Sequence, residues 1–374
     1  MRCAAAWAVL ALVLWNGAVA AADWSLFRGD PQLTGVAREP LPDELEPAWV
    51  FEAEDGFESA ATVASATVFA GSLDGNLYAI DLANGAMKWK YEARGAIKSS
   101  PSIFDGTVYF GDEEGVFHAV DAGTGKQKWL FEAEAEIVSS ANFHEGRVLF
   151  GSHDESLYCL SAADGELQWR VETEGYVYGT PAITDGRTFS AGCDGFLRVV
   201  RVADGTEERK IELGSYVGAS PAVHSGRVYV GTFDNQVLAV DIEGEKVLWA
   251  YEHPERKFPF LSSAATDGKR VVVGGRDKLI HAIDAATGKP LWIHAAGAKV
   301  DSSPVIAGER VFVGVASGEI LALGLESGEV LWRFETGSPI VASPAVAGGK
   351  LLIGTLDGQL FCLGAAAPKE RPQE

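Results

Sequence analysis

A stretch of about forty residues, Ser59–Lys98, constrains this chain more than any other feature, because the chain repeats it. The next copy, Ser99–Val138, restores the same anchors at the same offsets. Gly71 returns as Gly111, Asp81 as Asp121, Gly85 as Gly125 and Trp89 as Trp129. Each copy reads as four short strands. Ser59–Ser65 is made of small residues and suits an innermost strand crowded near an axis. Thr67–Ala70 is β-branched and aromatic. Leu73-Asp74-Gly75 is a tight-turn signal, with glycine supplying a positive φ. Asn76–Asp81 follows, and its centre, Leu77-Tyr78-Ala79-Ile80, does not alternate, as expected of a strand covered on both faces. Beyond the Asn84-Gly85 turn, Met87–Glu92 is an outer strand whose Trp89 points into the contact between units. One such sheet cannot bury both its faces, whereas stacked copies can. Four strands per unit at this period is the pattern of a β-propeller blade.

The copies run Ser59–Lys98, Ser99–Val138, Ser139–Tyr178, Gly179–Gly218, Ala219–Phe260, Leu261–Val300 and Asp301–Ile340. Trp89, Trp129, Trp169, Trp249, Trp292 and Trp332 mark six of these seven. The fourth departs, with Arg209 at the tryptophan position and Arg201 at the Asp81 position. Its outer strand is therefore expected to be the least protected in hydrogen exchange and open to an added partner strand. The fifth copy has two extra residues within His253–Phe260. Val341–Gly364 supplies three more strands and stops before any tryptophan strand. The missing strand stands at the other end, where Pro47–Glu54 places Trp49 forty residues before Trp89. The expected architecture is thus an all-β, eight-bladed propeller over residues 47–364, its last blade shared between the two ends of the chain.

Residues 23–46 precede the ring, and Trp24 and Phe27 are expected to pack this segment onto it. Arg28-Gly29-Asp30 matches an adhesion tripeptide, a match short enough to be chance. Residues 1–22 read as a secretory signal: Arg2, the apolar run Ala4–Leu14, then the small residues Ala18-Val19-Ala20 and Ala20-Ala21-Ala22. The run is too short to span a bilayer comfortably. Residues 365–374 are expected to form a loose tail.

With 31 Lys and Arg against 52 Asp and Glu, the net charge is −21. Nucleic acid and anionic membranes are poor partners for such a chain, since phosphate binding needs clustered cations. Cys159 and Cys362 occupy the Ala79 position of non-adjacent repeats and are expected to be small buried thiols rather than a bridge. Asp74, Asp154, Asp194, Asp234, Asp277 and Asp357 recur at one turn, with Glu114 and Ser317 in the remaining repeats. A carboxylate ring of this kind suggests metal or acid–base chemistry, but a repeated Asp-Gly-like turn explains it more simply. His118 and His281 share the Tyr78 position and read as packing residues. Gly123-Thr124-Gly125-Lys126 lacks the spacing of a phosphate loop, and neither HExxH nor GxSxG occurs.

The block Leu77-Tyr78-Ala79-Ile80-Asp81, then Gly85 and Trp89, returning as His281-Ala282-Ile283-Asp284, Gly288 and Trp292, lacks the Gly-His and Trp-Asp signature of WD40 blades. It resembles the pyrroloquinoline quinone (PQQ) repeat of quinoprotein-type propellers. The lead-in Trp24–Asp30 looks like the approach segment of exported bacterial members. The resemblance implies two candidate functions. One branch comprises PQQ-dependent dehydrogenases, which carry adjacent cysteines over the cofactor and Glu, Asn and Asp on a calcium ion. The other comprises non-catalytic propellers, including the lipoprotein of the outer-membrane β-barrel assembly machinery. This chain has no adjacent cysteine pair and no room for inserted catalytic loops. It also lacks a cysteine after the apolar run to carry a lipid. The resemblance therefore implies an exported, soluble, unlipidated periplasmic scaffold that binds a protein partner and needs neither PQQ nor calcium, with a PQQ dehydrogenase as the alternative. A monomer is expected.

The loops that lead from an outer strand to the next blade differ from copy to copy. Tyr176, Tyr178, Tyr216, Arg256, Phe258 and Phe260 lie on three of them, and Phe233 on a neighbouring turn. Consecutive blades three to five bring these residues to one sector of one face. Aromatic residues and arginine are enriched at protein interfaces. Arg256-Lys257 gives a positive spot suited to an acidic segment of a partner.

Overall fold

The computed structural model describes residues 23–366. The signal and nearly all of the tail read from the sequence lie outside the described residues. Within them, the regular structure consists of eight four-stranded antiparallel sheets arranged as blades around an axis. Blade one runs from its innermost strand Thr62–Ala64 through Thr67–Gly71 and Asn76–Asp81 to the outer strand Met87–Glu92. The innermost strand is shorter than the sequence reading because Ser59-Ala60-Ala61 serves the joint between blades instead. Blade eight is shared as expected: the outer strand Leu45–Glu52 pairs antiparallel with Gln359–Ala365, which continues to Lys350–Gly354 and Ala345–Ala347.

Six of the eight outer strands dock on the following blade through the indole N–H of a tryptophan: Trp49, Trp89, Trp129, Trp169, Trp249 and Trp292. The indole N–H of Trp89 donates to the carbonyl of Ala122 at 3.2 Å, and Trp49 makes the equivalent bond to Leu82 at 3.0 Å, closing the ring from blade eight to blade one. The ring of each of these six lies on the glycine of the next blade's last turn. At Gly125, φ is +69°, and an added Cβ would stand 2.7 Å from the Trp89 ring. The glycine thus repeats with the tryptophan because each makes room for the other. In blade four Arg209 replaces this contact with ion pairs to Glu243 (2.7 Å) and Glu245 (3.1 Å) of blade five. Both glutamates are largely exposed, so solvent screens the pairs and they dock the strand more weakly than a buried indole.

A ring of hydroxyls joins the blades near the axis. The amide of Ser100 donates to Ser140 Oγ at 2.9 Å, that of Ser140 to Thr180, and so on round to Ser303 and Ser343. The ring begins where the Ala60 amide donates to Ser100 Oγ at 3.0 Å. Ala60 has no hydroxyl to return, so the ring is open only at the junction between blades eight and one, where the chain ends meet.

The segment Trp24–Ala37 runs beneath the disc and is stitched to its innermost strands in passing. Trp24 exchanges two backbone bonds with Val63 of blade one. The carbonyls of Ser25, Pro31, Gln32, Thr34 and Gly35 then accept from Ile103, Ile183, Val223, Thr266 and Ile306 of blades two, four, five, six and seven. Asn142 of blade three reaches Pro31 by its side chain. Arg28, 1% exposed, sits at the centre and donates to the carbonyls of Ser303, Ala264 and Pro304 at 3.1, 3.2 and 2.5 Å. Burial lowers its pKa to about 9, so it stays charged at neutral pH. The tripeptide Arg28-Gly29-Asp30 is therefore a structural plug, with its arginine inaccessible to a receptor.

Cys159 and Cys362 are free and buried, and burial pushes both thiols up to about 12.

Candidate functional site

The strap leaves the opposite face open. Two kinds of segment form this face: the turn between the second and third strands, and the loop from each outer strand to the next blade. The turn carboxylates hold the two together. Asp74 accepts from the Asn76 amide at 2.8 Å, the Tyr78 hydroxyl at 2.7 Å and the Glu54 amide of the incoming loop at 3.2 Å. Burial alone would raise the pKa of Asp74, but these hydrogen bonds outweigh it and hold the carboxyl below its usual range. Asp154 repeats the arrangement with Tyr158 and the Glu134 amide. The carboxylates lie on separate blades, with Ser317 at this place in blade seven, and no cluster of three or more metal-ligating side chains exists among the described residues. Asp74, Asp154, Asp194 and Asp277 accept from amides of their own turn or of the incoming loop, as the turn reading expects.

Blade two corrects it in one place. The clasp there is Asp112, two residues before Glu114. Asp112 accepts from the Val116 amide at 2.9 Å and the Arg94 amide at 3.1 Å, and bonds His118 Nε2 at 2.8 Å. His118 Nδ1 in turn meets the Tyr91 hydroxyl at 3.1 Å. Blade six builds the same chain from Tyr251, His281 and Asp277, with contacts of 2.9 and 3.0 Å. Both histidines are buried, as expected of packing residues, and each is also hydrogen-bonded on both ring nitrogens. The histidine and the aspartate of each chain are buried.

At the axis the open face sinks into a blind funnel of about 230 Å³. Glu58, Lys98, Tyr178 and Asp301 stand at its mouth, the hydroxyl ring lines its wall and Phe27 of the strap floors it. The mouth charges are engaged elsewhere: Lys98 contacts Glu113, and Asp301 pairs with Arg276 at 2.8 Å and Lys299 at 3.0 Å. A shallower groove of about 320 Å³ lies between blades four and five, lined by Asp194, Phe196, Glu212, Tyr216 and Asp234.

The structure divides the expected patch. Tyr176 is exposed and stacks on His153 at 5.2 Å, while Tyr178 turns inward to the funnel and meets the same ring at 4.3 Å. His153 ties these two loop residues together and was not singled out in the sequence. Tyr216, 60% exposed, rims the groove, and its carbonyl accepts from the Phe233 amide at 3.0 Å. Phe233 covers Gly218, where an added Cβ would lie 2.9 Å from its ring. Phe258 is 50% exposed. Phe260 is the correction: at 2% exposure it belongs to the core, packed on Tyr251 and His281. The longer loop of blade five turns back after Pro259 and buries it. The expected positive spot is also smaller than its sequence suggests. Arg256 donates to the Asp277 carbonyl at 3.0 Å, and Lys257 pairs with Glu252 at 3.0 Å.

The family model described as outer membrane protein assembly factor BamB matches residues 43–142, 132–252, 199–275 and 258–371. Among solved structures, BamB from Moraxella catarrhalis superposes with a TM-score of 0.75 at 18% identity, over 86% of this chain and 100% of that one. Quinohemoprotein alcohol dehydrogenase from Comamonas testosteroni superposes at 0.80 with 13% identity, over 94% and 82%. The computationally designed Ika8 protein gives 0.74 at 18% identity, over 84% and 98%. At these identities the likeness is one of fold. No curated protein sequence matches the chain at a significant level.

Proposed function

Since the chain belongs to the PQQ-repeat family described as outer membrane protein assembly factor BamB, we propose that it is a non-catalytic, protein-binding scaffold exported to the bacterial cell envelope. The observation that carries this reading is the open face itself. Tyr176, Tyr216 and Phe258 stand exposed on loops whose carbonyls, at Tyr176, Tyr216 and Pro259, accept from the amides of the next blade's turn, and Phe233 stands exposed on one of those turns. Preorganised aromatic side chains of this kind supply contact area at low entropic cost. The described residues contain no helix long and apolar enough to cross a membrane. We place the protein in the periplasm as a soluble, unlipidated monomer.

The likeness to a quinohemoprotein dehydrogenase names the second reading. The residues at hand do not fit it. Cys159 and Cys362 are buried in strands, and Cys193 is not adjacent to either. The funnel lining carries two carboxylates, Glu58 and Asp301, with Lys98 and no third acidic residue, Asp301 is held by Arg276 and Lys299, and the wall hydroxyls are spent on the ring between blades. These features favour a scaffold.

The test combines Tyr176→Ala, Tyr216→Ala and Arg256→Glu in one protein and compares its captured partners from envelope extract with those of the unaltered chain. A specific partner is lost while the melting temperature holds. Retention of the same proteins, or unfolding of the variant, would move the site elsewhere. Dye-linked alcohol or glucose oxidation after incubation with PQQ and calcium separates the two readings, and turnover above background would overturn the scaffold.

A further inference from the structure

The outer strand of each blade ends its sheet, so one side of its backbone pairs with no other strand in the described structure. Such an edge is a template for an added strand, and charged side chains are the usual protection against it. Seven of the eight outer strands carry a glutamate at the same place near their end: Glu52, Glu92, Glu132, Glu172, Glu212, Glu252 and Glu335. Blade six has Ala295 there. Its whole outer strand, Pro290–Ala295, contains no Asp, Glu, Lys or Arg, and no other outer strand shares this property. On its solvent side stand Leu291 and Ile293, 49% and 41% exposed.

The register sets which backbone groups are free. Ala295 pairs with Leu279, and one residue further on the Ala296 amide donates to the Lys278 carbonyl at 3.0 Å. Hydrogen-bonded pairs alternate along an antiparallel ladder. His294 therefore turns its amide and carbonyl inward, and Ile293 and Ala295 turn theirs outward. Charge adds a polarity to this edge. Between Leu261 and Val300 stand six Lys and Arg against three Asp and Glu, whereas blade two, directly across the ring, has two against eight. Exposed Lys278, beside the end of the strand, makes no ion pair among the described residues.

We propose that the outer edge of blade six receives an extended strand of a partner protein by sheet addition, with apolar side chains on one face and an acidic residue near its end. The backbone of that strand pairs with Ile293 and Ala295, its apolar side chains lie against Leu291 and Ile293, and its carboxylate meets Lys278. A second copy of this chain is a poorer occupant, because antiparallel pairing of two such edges sets Lys278 of each against Lys289 of the other. The edge faces away from the loops of the open face, and this inference does not depend on them.

The variant that tests it is Ala295→Glu. It installs the residue that seven blades already carry, so the blade folds. The probe is a fluorescent peptide alternating valine and threonine with a glutamate at each end. The intact protein binds it saturably and slows exchange of the Ile293 and Ala295 amides. Ala295→Glu weakens binding at least roughly tenfold, equivalent to about 1.4 kcal/mol, and a peptide with lysine in place of glutamate binds less tightly than the original. Equal binding by both proteins, no binding at all, or protection of a different blade's edge overturns the proposal. A concentration-dependent dimer in sedimentation that Ala295→Glu abolishes also overturns it, in favour of a second copy as occupant.

Discussion

Beneath the disc, a single segment gives its carbonyls to the innermost strands of six blades and buries an arginine against them; above it, loops carry exposed aromatic tips. On the lower face the segment's backbone is spent on the innermost strands, so its residues answer to the fold. On the upper face the turn aspartates hold incoming loop amides, whereas Tyr176, Tyr216 and Phe258 stand exposed. The boundary between structure and surface thus runs through the upper face itself, between the clasped turns and the aromatic tips, rather than between loops and strands. Three substitutions measure how sharp that boundary is.

The largest effect is expected from Arg28→Ala, which strands three carbonyls in the axis and leaves a cavity. A loss of roughly 3–5 kcal/mol is expected, read as a fall in the midpoint of denaturant unfolding. If the midpoint is unchanged, the lower face is not held by its plug. An intermediate effect is expected on the upper face below the boundary. Asp112→Asn removes a carboxylate bound by His118 and four backbone amides, those of Arg94, Gly95, Glu114 and Val116, at a cost of about 1–3 kcal/mol at neutral pH. Burial would raise the pKa of Asp112, yet these bonds hold it below the ordinary carboxylate value. A depressed folded pKa gives stability that is present above the unfolded value, about 3.9, and is lost as pH falls through the folded one. The gap between variant and parent should therefore close below about pH 4 in unfolding curves taken across pH, and a gap that widens in acid contradicts the clasp. The smallest effect belongs above the boundary: Tyr216→Ala should move stability by no more than about 0.5 kcal/mol in thermal melts. A larger loss would make that tyrosine part of the fold.

The ring was legible in the sequence because its determinants recur. Glycine and tryptophan return together since one ring stacks on the other's turn, and Trp49 standing one period before Trp89 exposes the shared blade. What occurs once was harder to read. Arg28 looked like part of a chance tripeptide because nothing in its neighbours shows that three carbonyls converge on it. Asp112 was passed over for Glu114, since blade two shifts its carboxylate by two residues while keeping the histidine in register. Phe260 read as a loop aromatic because sequence shows the extra length of that loop and not the direction in which it folds. The hydroxyls that link the blades did recur, as Ser100, Ser140, Thr180 and Ser220, but small polar residues near an axis read as filler until their partners are seen.

The shared blade also sets a timetable. Leu45–Glu52 is among the first strands to be synthesised, and its partner Gln359–Ala365 among the last. At roughly 5–20 residues per second, the first strand waits on the order of tens of seconds before the ring can shut. Throughout that interval Trp49 can already dock on blade one while its backbone edge has no mate. A product that ends before Gln359–Ala365 leaves Leu45–Glu52 without its partner and the ring open.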